Sequence, residues 1–221
     1  MFVSKGIVEE KLTSHSLPTV VITCASGELG GAIGKKLASA NNFILTGRNI
    51  QKLQILQKEL QSQFPHNYEI ILLDYCDSSS IHEFDKTLKV KKSEISGLVL
   101  ITPRPQFCSS LLEPEENWMS LFQLTFTGTI EVTKKVLSHT ASLRKIVVIA
   151  ETTSIQLLPE YGPTCVIRRM WTTYVKALSH QLGSKEICVN ALSPGVVLTE
   201  SHIDIDYNDQ MIQILSTESI W

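Results

Sequence analysis

The order of apolar runs along the chain constrains its fold more than any other feature. Six short runs rich in β-branched residues recur, and each interval between them has room for one helix. Their hydrophobicity is continuous rather than alternating, which is typical of strands covered on both faces of a parallel sheet. Because strand and helix alternate, the predicted fold class is α/β, a doubly wound parallel sheet. The six predicted strands are Thr19–Thr23, Phe43–Gly47, Glu69–Asp74, Gly97–Thr102, Lys145–Ala150 and Ile187–Leu192.

Four amphipathic stretches between these runs are predicted to be helices. In the second of them, Leu53, Ile55, Leu56 and Leu60 are expected to share one face. The predicted helices are Leu29–Ala40, Gln51–Phe64, Trp118–Leu137 and Cys165–Leu182.

Length and composition indicate one soluble domain. The chain has 221 residues, of which 43% are hydrophobic, and 20 basic side chains stand against 22 acidic ones, which argues against disorder and against a polybasic nucleic-acid binder. We assign residues 1–16 to an N-terminal extension and residues 17–221 to a single domain. The five cysteines and six histidines show no metal-ligand spacing, and no secretion signal or membrane span is recognised. We therefore expect a cytoplasmic protein with no metal, no membrane and no nucleic-acid partner.

A glycine-rich turn follows the first predicted strand. The segment TCASGELGGAIG, residues 23–34, places Gly27 and Gly30 where a strand turns into a helix. Glycines at such a turn let main-chain N–H groups and the positive helix N-terminus approach a pyrophosphate. Close packing of helix on strand explains the same glycines, so both interpretations stay open. The candidate cofactor contacts here are Thr23, Ser26, Gly27, Leu29 and Gly30.

Together with this turn, three further segments resemble the short-chain dehydrogenase/reductase family of NAD(P)-dependent Rossmann-fold enzymes. They are TGRN at residues 46–49, LDYCD at residues 73–77 and NALSPGVVLTE at residues 190–200. The resemblance implies a Rossmann fold, a nominal oxidoreductase activity, and a site where the strands end. Typical members continue through a seventh strand, which is not recognised here. The edge that remains would be covered by the N-terminal extension, by the helix-like segment Asn208–Leu215 or by a partner chain.

The resemblance implies NADP(H) as the cofactor. Members that use NAD end the second strand in an acidic residue, where this chain has Gly47, and Arg48 stands where NADP-selective members hold the 2′-phosphate. A guanidinium forms paired, charge-assisted hydrogen bonds with phosphate, although a solvated charge at the strand end is the alternative. Asp74 stands where the family contacts the adenine, and a turn or helix-cap role is equally open for it. The other cofactor candidates implied by the resemblance are Asn49, Thr102, Arg168, Pro194, Gly195 and Thr199.

All four catalytic positions of the family are substituted. The resemblance places Thr164 at the tyrosine position, Arg168 at the lysine position and Thr125 at the helix asparagine position. Either Glu151 or Thr152 stands at the serine position, depending on a register choice of one residue. A threonine hydroxyl has a pKa far above the roughly 10 of a phenol, so Thr164 is not expected to donate a proton.

One alternative register keeps a phenol in the site. Tyr161 lies seven residues before Arg168, a spacing that resembles the enoyl-acyl-carrier-protein reductases, a divergent branch of the superfamily. In that branch the tyrosine stabilises an enolate-like oxygen. The competing interpretation is that Tyr161 is an ordinary loop aromatic covering the cleft.

The glycine turn departs from the family pattern at two positions. Cys24 replaces the first glycine, where a Cβ and a sulfur crowd the turn, and Glu28 brings negative charge to the first helical turn. That negative charge is attracted by the positive N-terminal end of the helix dipole but repels a pyrophosphate. We interpret Cys24 as a small residue buried at a strand end.

These observations favour an NADP(H)-binding protein of the oxidoreductase family that has lost the usual carbonyl reduction. The alternatives are a catalytically inactive protein that senses cofactor or binds a partner, an enoyl-reductase-like enzyme using Tyr161, and a non-redox enzyme using Glu151 and Thr152. The substrate stays open. Because Trp118 and Trp171 lie on the two long helices that many family members use to associate, a homo-oligomer, or a partner bound through these helices, is expected.

Overall fold

The computed structural model describes residues 17–91, 95–105, 108–195 and 197. Within these residues six parallel strands form one sheet in the order β3-β2-β1-β4-β5-β6. The predicted fold class is thereby confirmed. The strand order reverses between β1 and β4, which is where doubly wound sheets bind their ligands. The strands are β1 Thr19–Ile22, β2 Asn42–Gly47, β3 Tyr68–Leu72, β4 Ile95–Ile101, β5 Lys145–Ile149 and β6 Cys188–Leu192.

The described residues form α-helices in each interval between the strands. The four predicted helices are present, the first being extended by a 3-10 turn over Ala38–Ala40, and α3 is an additional one that was not predicted. Its apolar residues Ile81, Phe84 and Leu88 do have the spacing of one helical face. The helices are α1 Glu28–Leu37, α2 Ile50–Gln63, α3 Ser78–Lys91, α4 Glu115–Phe122, α5 Gly128–His139 and α6 Gly162–Gly183.

A single π-helical segment interrupts the long helix predicted over Trp118–Leu137. Helix α4 begins three residues earlier than predicted, α5 ends two residues later, and Gln123–Thr127 joins them with wider turns. Such segments are frequent at functional sites, and this one contains Thr125, the residue at the family's asparagine position.

The core consists of two apolar layers, one on each face of the sheet. On one face α2 packs Leu53, Leu56 and Leu60 against the sheet. Ile55 was predicted to share this face, and that prediction is wrong, since its side chain is 58% exposed. It lies two residues from Leu53, which turns it by about 200° around a helix of 3.6 residues per turn. On the other face α3, α5 and α6 contribute a layer that includes Phe84, Leu88, Val132, Val136, Trp171 and Val175.

Because all six strands run in one direction, the segments that follow them meet at one edge of the sheet. The residues after β1, β4, β5 and β6 therefore face one another. Within the described ranges no helix is both long and apolar enough to cross a membrane. The predicted N-terminal extension, the segment Asn208–Leu215 and Thr199 lie outside the described residues, and so does the part of the chain on which the prediction of a missing seventh strand falls.

Candidate active site

A cavity of about 430 Å³ opens where the strands end. The first turn of α1 forms one wall. The opposite wall comes from the segments that follow β4, β5 and β6. The predicted residues on these walls are Gly27, Leu29, Gly30, Thr102, Glu151, Thr152, Tyr161, Pro194 and Gly195. The structure thus brings together residues that lie up to 168 positions apart in the sequence.

The glycine turn, residues 24–30, is packed too closely for a side chain at Gly30. A Cβ built there lies 2.5 Å from the Cys24 carbonyl oxygen and 2.8 Å from the Ala25 Cα. The Gly27 N–H donates to the same Cys24 carbonyl at 3.0 Å. Gly30 is therefore required by packing of helix on strand, and this packing also presents the N-terminus of α1 to the cavity.

Cys24 adopts a backbone conformation that favours glycine. Its φ is +50°, in the left-handed region, which is unfavourable by about 1–2 kcal/mol for a residue with a Cβ. Its thiol donates to the Ile101 carbonyl at 3.3 Å, and burial raises the pKa of this thiol to about 12. The thiol is thus protonated at neutral pH and is not a nucleophile. Its position just after β1 agrees with the interpretation made from the sequence, but Cys24 is half-buried and lines the cavity rather than being fully buried.

Ser26 occupies the space beside the end of β2. A Cβ built on Gly47 collides with the Ser26 hydroxyl. An acidic side chain, which NAD-using family members carry at this strand end, therefore does not fit at position 47 without moving Ser26. The packing explains why the chain has glycine here.

Arg48 and Asp74 lie side by side where β2 and β3 end. The Arg48 Nη1 is 4.0 Å from the Asp74 Oδ2, and the Arg48 side chain is mostly exposed. Asp74 Oδ1 also accepts the Cys76 N–H at 2.9 Å, as expected of a turn aspartate. Asn49 accepts the Lys52 N–H at 2.9 Å and so caps α2. The predicted cofactor contacts of these residues remain predictions.

Thr23 is placed inside the sheet rather than on the cavity wall. Its hydroxyl accepts the Ile101 N–H at 2.7 Å and donates to the Ile101 carbonyl at 3.1 Å. It therefore joins the ends of β1 and β4. Lys52, in contrast, lines the cavity and was not predicted. It lies in the first turn of α2, three residues after the cap residue Asn49, and no motif of the sequence marks it.

Arg168 forms an ion pair with Glu151 behind the cavity wall. Its side chain is fully buried, and its Nη2 donates to the Glu151 Oε1 and to the Pro103 carbonyl, both at 3.0 Å. Nε and Nη1 have no hydrogen-bond partner among the described residues. Burial lowers the pKa of this guanidinium, and Glu151 opposes that shift. A carboxylate at one of the two candidate serine positions thus pairs with the cation at the position where the resemblance implies lysine.

The three threonines among the predicted catalytic candidates hold their hydroxyls in structural contacts or away from the cavity. The Thr152 hydroxyl donates to the Pro194 carbonyl at 2.7 Å, and the Thr125 hydroxyl donates to the Leu121 carbonyl at 2.7 Å. Thr164 is buried in the first turn of α6, does not line the cavity, and its hydroxyl has no partner among the described residues. Of the predicted catalytic residues, Glu151, Thr152 and Tyr161 reach the cavity.

Close backbone contacts at the start of α6 hold Tyr161 at the cavity wall. A Cβ built on Gly162 lies 2.6 Å from the Ser109 carbonyl oxygen, so the chain passes the loop after β4 at close range. The Tyr161 N–H donates to the Leu158 carbonyl at 2.9 Å within the 3-10 turn Pro159–Tyr161. These contacts fix the position of the phenol-bearing residue at the cavity.

The family model for the short chain dehydrogenases matches residues 18–210. The chain therefore belongs to the short-chain dehydrogenase/reductase family, as its motifs indicated. Its fold is similar to that of a solved NADPH-bound short-chain oxidoreductase from Pseudomonas aeruginosa PAO1, which contains an atypical catalytic center. The TM-score is 0.79 at 19% identity, and the match covers 91% of this chain and 82% of that chain.

Two human relatives differ in the activity that their names describe. The chain is 27% identical over 184 residues to 17-beta-hydroxysteroid dehydrogenase type 3, and 25% identical over 185 residues to inactive hydroxysteroid dehydrogenase-like protein 1. Each match covers 81% of this chain, but it covers 59% of the first relative and 56% of the second. The chain thus spans less than two thirds of the length of these relatives.

Proposed function

We propose that this chain binds NADP(H) at the cavity but has lost the carbonyl reduction of its family. The observation that carries the proposal is the ion pair between Glu151 and the fully buried Arg168. The resemblance implies that Arg168 stands at the family's lysine position, and Glu151 is one of the two candidates for its serine position. The solved NADPH-bound neighbour supports the choice of cofactor, and the human relative named as inactive supports the loss of activity.

The wall formed by the first turn of α1, which we call the cofactor wall, has features that suit the phosphates of a dinucleotide. The N-terminus of α1 faces the cavity and brings main-chain N–H groups and the positive end of the helix dipole toward a pyrophosphate, although the negative charge of Glu28 on the same turn opposes it. Arg48, exposed where β2 ends, and Lys52, on the cavity wall, supply positive charge for a 2′-phosphate. An acidic side chain at position 47, which would repel that phosphate, would have to displace the Ser26 hydroxyl. A bound nicotinamide would supply hydride chemistry.

The opposite wall does not supply the matching proton transfer. Thr164 is a poor acid and lies off the cavity. Arg168 is buried and paired, so its charge is not available to lower the pKa of a neighbouring acid as a lysine would. The protein would therefore hold the cofactor without the family's acid–base machinery.

The proposal is tested by thermal unfolding with NADPH, with NADH and without nucleotide. A ligand at about 100 times its Kd stabilises the folded state by roughly 2.7 kcal/mol, or about 5–10 °C for a chain of this size. We expect this shift with NADPH, a much smaller one with NADH, and about tenfold weaker NADPH binding in Arg48→Gln. Lys176→Gln, on an exposed site of α6, is the matched control. No shift with either nucleotide would contradict cofactor binding.

A second candidate function is an enoyl-reductase-like activity that uses Tyr161. The observation in its favour is that Tyr161 lines the cavity with Glu151, whereas Thr164 does not. Oxidation of NADPH by a panel of enoyl and carbonyl substrates should then be abolished in Tyr161→Phe and retained in Tyr174→Phe, which alters a tyrosine packed in the core. A wild type that oxidises no NADPH with any substrate would leave the first proposal standing alone.

We also propose a homo-oligomer and a cytoplasmic location. Trp118 is only half-buried on α4 and so is available for association, whereas Trp171 is buried and donates to the Thr125 carbonyl at 2.9 Å within its own chain. All five cysteines are unpaired, which suits a reducing compartment. Sedimentation of a monomer at micromolar concentration would contradict the first proposal, and recovery in a membrane or secreted fraction would contradict the second.

A further inference from the structure

Helices α1 and α2 lie side by side and keep one register along their length. In their C-terminal halves the Lys35 Nζ lies 2.7 Å from the Glu59 Oε2. One turn earlier, a Cβ built on Gly31 lies 3.8 Å from the Leu56 Cδ1. Both helices run in the same direction, because each connects two parallel strands. A step back along one helix is therefore matched by an equal step back along the other.

Glu28 and Lys52 occupy the matching positions in the first turns of these two helices. Each lies seven residues before one member of the Lys35–Glu59 pair, and seven residues are nearly two full turns. The register therefore places the two side chains on facing sides of α1 and α2, with the signs of the Lys35–Glu59 pair reversed. Both residues are exposed, and both line the cavity.

Lys52 is the cation best placed to act on the charge of Glu28. Its backbone is fixed, since its N–H donates to the Asn49 Oδ1 at 2.9 Å and the next residue, Leu53, is fully buried. The other cation among the described residues of the cavity wall is Arg104, which comes from the opposite side, after β4. Lys52 is thus the wall cation carried by the helix that packs beside α1.

We propose that Lys52 offsets the negative charge of Glu28 and so allows the cofactor wall to accept a pyrophosphate. An opposite charge on the facing helix lowers the repulsion that a carboxylate exerts on the phosphates. The inference rests on the proposed function and deepens it, because it names the pair of residues that sets affinity for the diphosphate common to NADPH and NADH. It gives Lys52 a part in binding that does not require the 2′-phosphate.

The experiment titrates the full chain with NADPH and with NADH and follows the fluorescence of the reduced nicotinamide. We expect Lys52→Gln to weaken both nucleotides by about threefold to tenfold at low ionic strength, and Glu28→Gln to tighten both by about threefold. The double variant should bind within about twofold of the wild type. All these differences should shrink between about 10 mM and about 150 mM salt, because the Debye length falls from about 30 Å to about 8 Å.

The matched controls are Lys35→Gln and Glu59→Gln. They remove the same kinds of charge from the same two helices, but about 10 Å further from the cavity. At about 150 mM salt that distance exceeds the Debye length, so neither affinity should change by more than about twofold. Because all four side chains are exposed or only half-buried in surface positions, each variant should unfold at the same urea concentration as the wild type.

Three results would overturn the inference while the wild type still binds NADPH, and they leave the proposed function intact. The first is a loss in Lys52→Gln that is confined to NADPH, which would restrict Lys52 to the 2′-phosphate. The second is an affinity that Glu28→Gln does not raise, and the third is an equal loss in Lys52→Gln and Lys35→Gln. A wild type that binds neither nucleotide contradicts the proposed function itself, and the inference with it.

Discussion

The two walls of the cavity, the glycine turn and the segments that follow β4, β5 and β6, are held by different kinds of contact. The glycine turn keeps the close approach of helix to strand, although Cys24 and Glu28 replace two residues of the family pattern. On the opposite wall Glu151 forms an ion pair with Arg168, and the Thr152 hydroxyl donates to the Pro194 carbonyl. Backbone packing thus constrains the first wall, while an ion pair and a side-chain hydrogen bond constrain the second.

The two walls therefore differ in the substitutions that they tolerate. At Gly30 the limiting contacts are backbone atoms, which cannot move without shifting a strand. At Glu151 and Arg168 the limiting contacts are two side chains that compensate each other. A substitution on the first wall therefore acts through sterics, and one on the second wall acts through an uncompensated charge.

The largest effect is expected from Gly30→Ala. The added methyl group meets the Cys24 carbonyl oxygen and the Ala25 Cα, so we expect a loss of about 3 kcal/mol or more in the free energy of unfolding, at the upper end of overpacking effects. The matched control is Gly183→Ala at the end of α6, where a Cβ meets nothing within 4 Å. Urea denaturation should show that variant unchanged or up to about 1 kcal/mol more stable. Equal stabilities of the two variants would refute the steric account of the glycine turn.

A smaller loss is expected from Glu151→Gln. It leaves the fully buried Arg168 cation without its carboxylate, and because the Glu151 side chain is 37% exposed we expect about 2 kcal/mol rather than the 3–5 kcal/mol of a fully buried pair. The double variant Glu151→Gln with Arg168→Met should be more stable than Glu151→Gln alone, since it removes the unpaired charge.

The control for the ion pair is Glu131→Gln. Glu131 pairs with Lys134 on the exposed surface of α5, where we expect a change below about 0.5 kcal/mol. If Glu151→Gln destabilises the protein no more than this control, or if the double variant shows no recovery, the pair does not hold the second wall together.

Sequence patterns predicted the fold because its determinants are local. Each strand is a short apolar run, and the helical spacing in α2 and α6 is readable residue by residue. Ile55 was misplaced because it lies between Leu53 and Leu56 in the sequence but about 200° from Leu53 around the helix. Helix α3 was missed because polar residues separate its apolar residues Ile81, Phe84 and Leu88, although their spacing is helical.

The site was less predictable because its contacts join distant parts of the chain. Family motifs located the glycine turn and the catalytic positions, but nothing in the sequence pairs Glu151 with Arg168 across 17 residues and two elements. The close approach of Ser26 to Gly47 likewise depends on how the turn after β1 lies beside the end of β2.

The smallest expected effect is the difference in stability between Cys24→Gly and Cys24→Ala. This difference measures the backbone strain at position 24 of the glycine turn. Both Cys24→Ala and Cys24→Gly lose the thiol hydrogen bond to Ile101, but only glycine relieves the positive φ. We expect the glycine variant to be about 1 kcal/mol more stable than the alanine variant in urea denaturation, the reverse of their order at ordinary positions. Because the turn forms the cofactor wall, the glycine variant should also bind NADPH at least as tightly as the wild type. An alanine variant that equals or exceeds the glycine variant in stability would show that position 24 carries no left-handed strain, and the first wall would then be less constrained than the packing at Gly30 implies.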